Sequence, residues 1–232
     1  MRRVRRSPPL RPHSRTPRPI EVPRRPDLLA GEHLARMPLQ QRSRIKREAL
    51  LRAAVELFGR NGYESTAIGA IARHAGMAVG GFYQYFRSKR QLLMVLMNEL
   101  LQRLERIDMQ PRAGDLKSGI ESMLRIGLAA DLAYAGAYRA WREAMLSDRQ
   151  LAALDERVRE WTTGRLRVIF GLLQQLPQAR RGVDVSLFAA VMDRLFWDLL
   201  GGDLESQPRL AEVLANIIYH SLFADLPAPS SR

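Results

Sequence analysis

Residues 66–89, TAIGAIARHAGMAVGGFYQYFRSK, decide the fold of this chain. Ile68 and Ile71 begin an apolar pattern at the spacing of a helix. The pattern breaks at Gly76, which can adopt the positive φ angle of a sharp turn, and it resumes at Phe82. Two short helices joined by a turn that contains Gly form a helix-turn-helix, whose second helix can enter the major groove of DNA. The stretch therefore predicts a DNA-binding element.

The residues on both sides of this stretch extend the pattern to about residues 42–104. The matching residues are AVELF at 54–58, NGY at 61–63, Thr66, IA at 71–72, AGM at 75–77, Gly80, FYQYF at 82–86, SK at 88–89 and LL at 92–93. This pattern resembles the tetracycline-repressor (TetR/AcrR) family of transcription regulators. The resemblance implies an all-α protein with an N-terminal three-helix helix-turn-helix domain that binds DNA. It also implies a C-terminal helical domain that binds an effector and forms a homodimer.

The excess positive charge of the chain is confined to its first 104 residues. The net charge is +7 over residues 1–38, +7 over residues 39–104 and −1 over residues 105–232, within a total of +13. Positive charge concentrated around a helix-turn-helix is typical of proteins that bind polyanionic DNA.

The composition excludes several classes of protein. The chain has 232 residues and no cysteine, so disulfides, thiolate zinc sites and cysteine nucleophiles are excluded. No apolar run has the length of a transmembrane helix, and the N-terminus lacks the apolar core of a secretory signal. We therefore expect a cytoplasmic protein that makes no contact with a membrane.

The sequence carries no recognisable enzyme motif. Its four histidines, at positions 13, 33, 74 and 220, do not have the spacing of metal ligands. No GxSxG, Walker or dinucleotide-binding motif is present. We expect no catalytic residues, no metal and no cofactor.

The pattern along the chain predicts three parts: a tail over residues 1–38, a helix-turn-helix domain over 39–104 and a helical domain over 105–232. The tail is rich in Arg and Pro and has no apolar periodicity, which predicts a disordered basic arm that attracts phosphates. Alternatively, translation begins at Met37 and the tail is not native.

Apolar periodicity predicts nine helices. Their approximate spans are 42–60, 67–74, 78–84 and 88–104 in the N-terminal part, and 115–130, 132–146, 148–176, 184–200 and 208–223 in the C-terminal part. Local signals predict where several of them begin or end. Asn61-Gly62 is a C-terminal stop, Ser88 and Gln91 fit a capping box, and Ser147-Asp148 is a helix cap.

The resemblance assigns the helix over residues 78–84 as the one that enters the major groove. Val79, Gly80 and Gly81 would lie at its exposed start, followed by Tyr83 and Gln84. Glutamine can form two hydrogen bonds with adenine, and valine can contact a thymine methyl group. The remaining predicted DNA contacts are Arg44, Thr66, Tyr85 and Lys89. These four can bind phosphates, Lys89 beside the free N–H groups at a helix start.

Structural roles would also explain several of these residues. Thr66 could cap a helix, Tyr85 could be half-buried packing, and Arg44 could belong to a solvated face. The sequence also departs from the family pattern, because Ala78 and Val79 replace the polar residues that are common there. Specificity would then depend on Gln84, apolar contacts and DNA shape.

The last two predicted helices carry apolar stripes that would suit a four-helix dimer interface. The predicted interface residues are Phe188, Met192, Leu195, Phe196, Leu199, Leu214, Ile217 and Ile218. The resemblance favours this interface, although an intramolecular core would explain the same stripes.

Bulky residues of the middle helices are the predicted lining of an effector site. They are Met123, Tyr134, Tyr138, Trp141, Met145, Trp161 and Phe170. Apolar walls with a few polar groups suit a small apolar or amphipathic effector. Ordinary core packing is the alternative explanation.

Sequence and resemblance together predict a homodimeric transcription regulator that binds a palindromic operator in double-stranded DNA. We expect it to be a repressor that is released when the effector binds. The alternatives are a sequence-tolerant basic DNA-binding protein without an effector, an activator of the same fold, and a helical enzyme.

Overall fold

The computed structural model describes residues 23–32, 40–106, 116–201 and 209–223, which form α-helices joined by turns. The helices within these ranges are α1 (Gln41–Asn61), α2 (Ile68–His74), α3 (Val79–Tyr83), α4 (Lys89–Arg106), α5 (Leu116–Leu132), α6 (Ala135–Met145), α7 (Arg149–Leu173), α8 (Val185–Gly201) and α9 (Leu210–Leu222). An isolated β-bridge joins Ala179 to Phe223. The predicted all-α fold is confirmed.

Each predicted helix is present, and its ends differ from the predicted ends by three residues at most. Periodicity succeeded because each helix has its own apolar face and short polar flanks. Residues at several predicted boundaries, namely Pro111, Gly114, Gly202 and Pro208, lie outside the described residues.

The predicted caps hold the ends of the N-terminal helices. Gly62 follows α1 with a φ of 80°, and its N–H donates to the Phe58 carbonyl at 3.0 Å. Ser88 precedes α4, and its hydroxyl accepts the N–H of Gln91 at 3.0 Å. The Gln91 side chain accepts in turn from the N–H of Arg87 at 2.9 Å. Each contact satisfies a backbone group that a helix end would leave unpaired.

The turn between α2 and α3 is held by a Schellman motif. Gly76 has a φ of 70°, and its N–H donates to the Arg73 carbonyl at 3.0 Å. The next N–H, of Met77, donates to the Ala72 carbonyl at 2.9 Å. This pair of bonds needs a left-handed residue after the helix, which glycine adopts without strain. The sharp turn predicted at Gly76 is confirmed.

Two apolar cores lie side by side in the molecule. The first core contains residues of α1–α4, most of α6 and part of α7. The second core is built from α5, the end of α7, α8 and α9. The first core crosses the predicted domain boundary at residue 104, because Tyr138 and Trp141 of α6 belong to it. That boundary stays a prediction.

Helix α6 crosses α1 at a very short distance. The crossing point is Gly136, where an added Cβ would lie 2.0 Å from the Val55 carbonyl oxygen and 3.0 Å from the Gly59 nitrogen. Only a residue without a side chain permits this approach. The crossing joins the helix that begins the DNA-binding region to the C-terminal region.

The predicted disorder of residues 1–38 is wrong for residues 23–32, which we call the strap. Leu28 is 1% exposed and belongs to the first core, and the Pro23 carbonyl accepts a hydrogen bond from the Trp161 indole at 3.1 Å. Arg25 donates to the Asn98 side chain at 2.7 Å. The strap escaped prediction because one buried leucine among prolines and arginines produces no periodicity. The rest of the tail, with Met37, lies outside the described residues.

Candidate DNA-binding surface and effector cavity

Helix α3 has one buried and one exposed side. Phe82 and Phe86 are buried, and their ring centroids lie 5.7 Å apart. Val79 is 44% exposed, Tyr83 is 55% exposed, and Gln84 is exposed beside them. The two phenylalanines therefore anchor this short helix to the first core and leave the other three side chains free of the core.

The backbone at the start of α3 is open to close approach. Among the described residues, no heavy atom lies within 4 Å of a Cβ built on Gly80. A Cβ built on Gly81 would contact the Met77 side chain at 3.4 Å. Gly80 is thus part of the exposed side of α3, whereas Gly81 lies against the preceding turn.

Two predicted DNA contacts have structural roles instead. Thr66 is 1% exposed, and its hydroxyl lies 2.6 Å from the Gly62 carbonyl oxygen and 3.3 Å from that of Leu57. Tyr85 is 9% exposed and belongs to the first core. The prediction that these two side chains contact phosphates is wrong, because both are taken up by internal contacts. Arg44 is exposed in the first turn of α1.

Lys89 has partners within the protein. Its ammonium donates to the Tyr63 carbonyl at 2.6 Å and lies 4.2 Å from the centre of the Tyr63 ring. It also donates to the Glu64 carbonyl at 3.3 Å. Burial raises the pKa of Tyr63 to about 12, so the ring that faces Lys89 is neutral. Lys89 therefore ties the turn after α1 to the start of α4.

The same turn is held from the other side by α6. The Glu143 carboxylate accepts the N–H of Tyr63 at 2.6 Å and the N–H of Glu64 at 3.0 Å. A side chain at position 62 would meet this carboxylate, because a Cβ built on Gly62 lies 2.7 Å from a Glu143 oxygen. Glu143 was missed by sequence reasoning, and no local signal marks it, since its partners are about eighty residues away.

Arg90 connects three segments at the start of α4. Its guanidinium donates to Asp148 at 2.7 Å, to Glu32 of the strap at 3.1 Å and to Gln150 at 3.1 Å. Asp148 also caps α7 by accepting the N–H groups of Gln150 and Leu151, as predicted. Burial acts to raise the pKa of Asp148, but the hydrogen bonds from Arg90 and the backbone lower it overall. The strap, α4 and α7 are thus joined by one charged cluster.

A cavity lies in the C-terminal region, among α4, α5, α7, α8 and α9. Its volume is about 130 Å³, and its mouth is open to solvent. Three of the predicted lining residues, Met123, Trp161 and Phe170, line it. Its polar lining residues are Thr162, Arg165 and Asp193, which sequence reasoning did not identify.

The other four predicted lining residues do not reach this cavity. Tyr134, Tyr138 and Trp141 are buried in the first core, and Met145 packs against it. The Tyr134 hydroxyl donates to Glu99, and the Trp141 indole donates to Asp155 at 3.0 Å. The prediction failed for them because α6 packs on α1 and not beside the cavity.

The last two helices expose part of their apolar surface. Leu187 and Val191 of α8 are 64% and 56% exposed, and Val213 and Ile217 of α9 are 49% and 40% exposed. We call these four residues the exposed apolar face.

The predicted interface overlaps this face only in part. Ile217 belongs to it, and Phe188, Leu195, Phe196 and Leu199 are half-buried. Met192, Leu214 and Ile218 are at most 2% exposed, so their assignment to an interface is wrong. They point into the second core, because only every third or fourth position of a helix faces outward.

None of the helices in the described ranges combines the length and the apolar character that a membrane span requires. Those ranges also contain no group of three or more His, Cys, Asp or Glu side chains that could hold a metal ion.

Comparison with known proteins agrees with this arrangement. Residues 50–95 match the family model described as bacterial regulatory proteins, tetR family. The fatty acid metabolism regulator protein of Bacillus subtilis is 28% identical over 155 residues, which are 63% of this chain and 77% of that protein. The transcriptional repressor KstR of Rhodococcus jostii is 35% identical over 78 residues, but these cover only 34% of this chain and 35% of KstR.

Solved structures share the fold at low sequence identity. GusR of Salmonella enterica superposes with a TM-score of 0.60 at 19% identity, over 79% of this chain and 98% of that one. SmeT in complex with triclosan gives a TM-score of 0.57 at 18% identity, over 81% and 97% of the two chains.

The family match, the similar proteins and the exposed side of α3 agree on one class of protein. This class is the helix-turn-helix transcription regulator that binds DNA. Within that class, residues 50–95 match the tetR family of bacterial regulatory proteins, and the chain as a whole shares the fold of a solved structure from that family.

Proposed function

We propose that this regulator is a homodimeric repressor that binds a palindromic operator and is released by a small-molecule effector. The proposal rests on the arrangement of α3 and the residues that follow it. Val79, Tyr83 and Gln84 are exposed there, while Phe82 and Phe86 are buried in the first core. A reading helix must be held rigidly by its buried side while its other side contacts base edges.

Each exposed residue of α3 has a role in this proposal. Gln84 pairs with an adenine, Val79 contacts a thymine methyl group, and Tyr83 donates to a phosphate. Gly80 lets the backbone approach the DNA closely, whereas Gly81 lies against the Met77 side chain.

Two basic residues outside α3 complete the proposed contacts. Arg44 adds a phosphate contact from α1. Lys89 holds the turn beside α4 and presents its remaining N–H group to a phosphate, which the half-exposed position of its side chain allows.

A second copy of the chain is the proposed partner of the exposed apolar face. Four large apolar side chains of α8 and α9 are costly to leave in water. A twofold axis through α8 and α9 would pair the face with itself, as an isologous dimer requires. The two α3 helices would then lie in successive major grooves of the palindrome.

The effector is proposed to bind in the cavity and to act on α4. Leu104, near the end of α4, lines the cavity, and Lys89 and Arg90 lie at the other end of the same helix. Glu143 and Asp148 fix the DNA-binding region to α6 and α7. An effector that favours another position of α4 would lower operator affinity by a coupling free energy of about 1–3 kcal/mol.

The names of similar proteins support this repressor model. KstR is described as a repressor, NalD as the secondary repressor of an efflux pump, and SmeT was solved with triclosan. We propose that this protein likewise binds a small molecule, has no enzymatic activity and works in the cytoplasm, where its DNA is.

Selection of random duplex DNA by the purified protein tests the proposal. We expect enrichment of a palindrome with half-sites about one helical turn apart. Gln84→Ala should relax the preference at one position of each half-site, while Gln102→Ala, on α4, should not. Salt-sensitive binding without an enriched sequence would instead support the sequence-tolerant alternative. An operator placed where it recruits polymerase would support the activator alternative.

A further inference from the structure

We propose that the effector is a lipophilic cation, an amine or quaternary ammonium group on an apolar body, and that Asp193 is its counter-ion. The inference rests on the proposed function, because it names the chemical class of the effector in the same cavity. It follows from the aromatic walls of the cavity and from the buried carboxyl group of Asp193 that lines it.

The walls of the cavity are largely aromatic. Trp161 and Phe170 of α7 and Phe196 and Trp197 of α8 all line it. The faces of aromatic rings attract cations, tryptophan most strongly, and the attraction grows when the cation is removed from water. A cage of such rings therefore accepts an apolar body and an organic cation at the same time.

Asp193 provides the negative charge in this cage. It lines the cavity and is only 5% exposed. Burial raises its pKa, and the neutral side chains of Thr162, Thr163 and Trp197 act in the opposite direction.

Asp193 has no ion-pair partner in the described part of the chain. The nearest basic group that acts on it is Arg159, whose guanidinium donates to Asp155 at 2.7 Å. A buried carboxylate without a counter-ion is costly, and a cation placed beside it removes much of that cost. A cationic ligand would supply the missing partner.

Arg165 lines the same cavity and is held by partners within the protein. Its guanidinium donates to the Leu104 carbonyl at 3.1 Å and to the Glu105 carbonyl at 3.5 Å, near the end of α4. It also lies 5.2 Å from the centre of the Trp161 ring. Arg165 is thus held toward α4, whereas the proposed cation binds beside Asp193 of α8, where an anionic ligand would add a second negative charge.

Three ligands with the same eight-carbon chain test the inference: octyltrimethylammonium, 1-octanol and octanoate. Binding to the full-length protein is measured by isothermal titration calorimetry. We expect the cation to bind at least tenfold more tightly than the alcohol, and octanoate to bind most weakly. In Asp193→Asn the cation and the alcohol should bind equally. In Arg165→Met the preference for the cation should persist.

The variants separate a binding role of Asp193 from a structural one. Asparagine keeps the size and most hydrogen bonds of aspartate, so the unfolding temperature of Asp193→Asn should stay close to that of the wild type. A cation preference that survives in Asp193→Asn would overturn the inference. So would tighter binding of octanoate that is lost in Arg165→Met, or the failure of all three ligands to bind.

Operator binding is measured separately, by fluorescence anisotropy. Cation binding that depends on Asp193, in a protein that binds no operator, would refute the proposed function and keep the inference. An operator complex that octanoate dissociates and octyltrimethylammonium does not would refute the inference and keep the proposed function.

Discussion

The two apolar cores of this protein differ in how completely they are closed. The first core holds α3 from beneath and is sealed by α6 and by the strap, whose Leu28 is buried in it. The second core borders an open cavity and leaves four large apolar residues of α8 and α9 exposed. The difference fits the proposed function, in which the first core supports DNA binding and a ligand and a second chain complete the other region.

The largest loss of stability is expected from a substitution at the crossing of α6 and α1. Gly136→Ala would place a methyl group 2.0 Å from the Val55 carbonyl oxygen. Backbone atoms cannot move aside as a side chain can, so the variant should lose at least about 3 kcal/mol of unfolding free energy. Urea denaturation measures this loss.

The control for this substitution is Gly119→Ala in α5, where the added methyl group meets no described atom within 4 Å. It should gain up to about 1 kcal/mol, because alanine favours a helix more than glycine does. Equal stability of the two variants would contradict the close crossing of α1 and α6.

The second largest loss of stability is expected from a substitution in the strap. Leu28→Ala should destabilise the protein by about 2–3 kcal/mol, because it leaves a cavity in the first core. The matched control is Leu146→Ala, since Leu146 is 88% exposed and should cost almost nothing. If both variants unfold at the same urea concentration, the strap does not seal the core in solution.

A substitution in the exposed apolar face should weaken dimerisation and leave the free energy of unfolding of each chain unchanged. Val191→Asp places a charge in the proposed dimer interface and should weaken dimerisation by roughly 2 kcal/mol, about thirtyfold in the dissociation constant. Analytical ultracentrifugation measures the constant. Leu146→Asp puts the same charge at an exposed site outside the face and should leave the dimer intact. A dimer unchanged in Val191→Asp would place the interface elsewhere.

Two variants distinguish a residue that is proposed to contact DNA from a residue that holds the DNA-binding region in place. Tyr83→Ala should weaken operator binding by about 1–2 kcal/mol at unchanged stability, because its side chain is 55% exposed and its proposed partner is a DNA phosphate. Lys89→Ala should weaken binding and also lower the unfolding temperature, since Lys89 holds the carbonyls of Tyr63 and Glu64. Anisotropy and thermal unfolding of each variant give both quantities. Stability lost in Tyr83→Ala would contradict its assignment.

The smallest effect is expected at Gly80. Gly80→Ala should stabilise the protein by up to about 1 kcal/mol, because the position is helical and open. The same methyl group would lie between α3 and the DNA, so operator affinity should fall. A variant with higher stability and unchanged affinity would move the DNA contact away from the start of α3.

The sequence by itself determined the helices and their ends. Gly62, Gly76, Ser88 and Asp148 were predicted as stops or caps and act so, because each bonds to a backbone group within a few residues. The helix-turn-helix was predictable for the same reason, because its pattern occupies one continuous stretch of the sequence.

Only the tertiary structure decided which faces of the helices meet. Glu143 reaches a turn eighty residues away, and the strap reaches Trp161 across 138 residues. The lining of the cavity changed accordingly, because α6 turned its aromatic residues into the first core. An apolar stripe specifies that a helix face is buried but not what covers it, so the burial of Asp193 and Leu28 and the exposure of Leu187 were decided only when distant segments packed together.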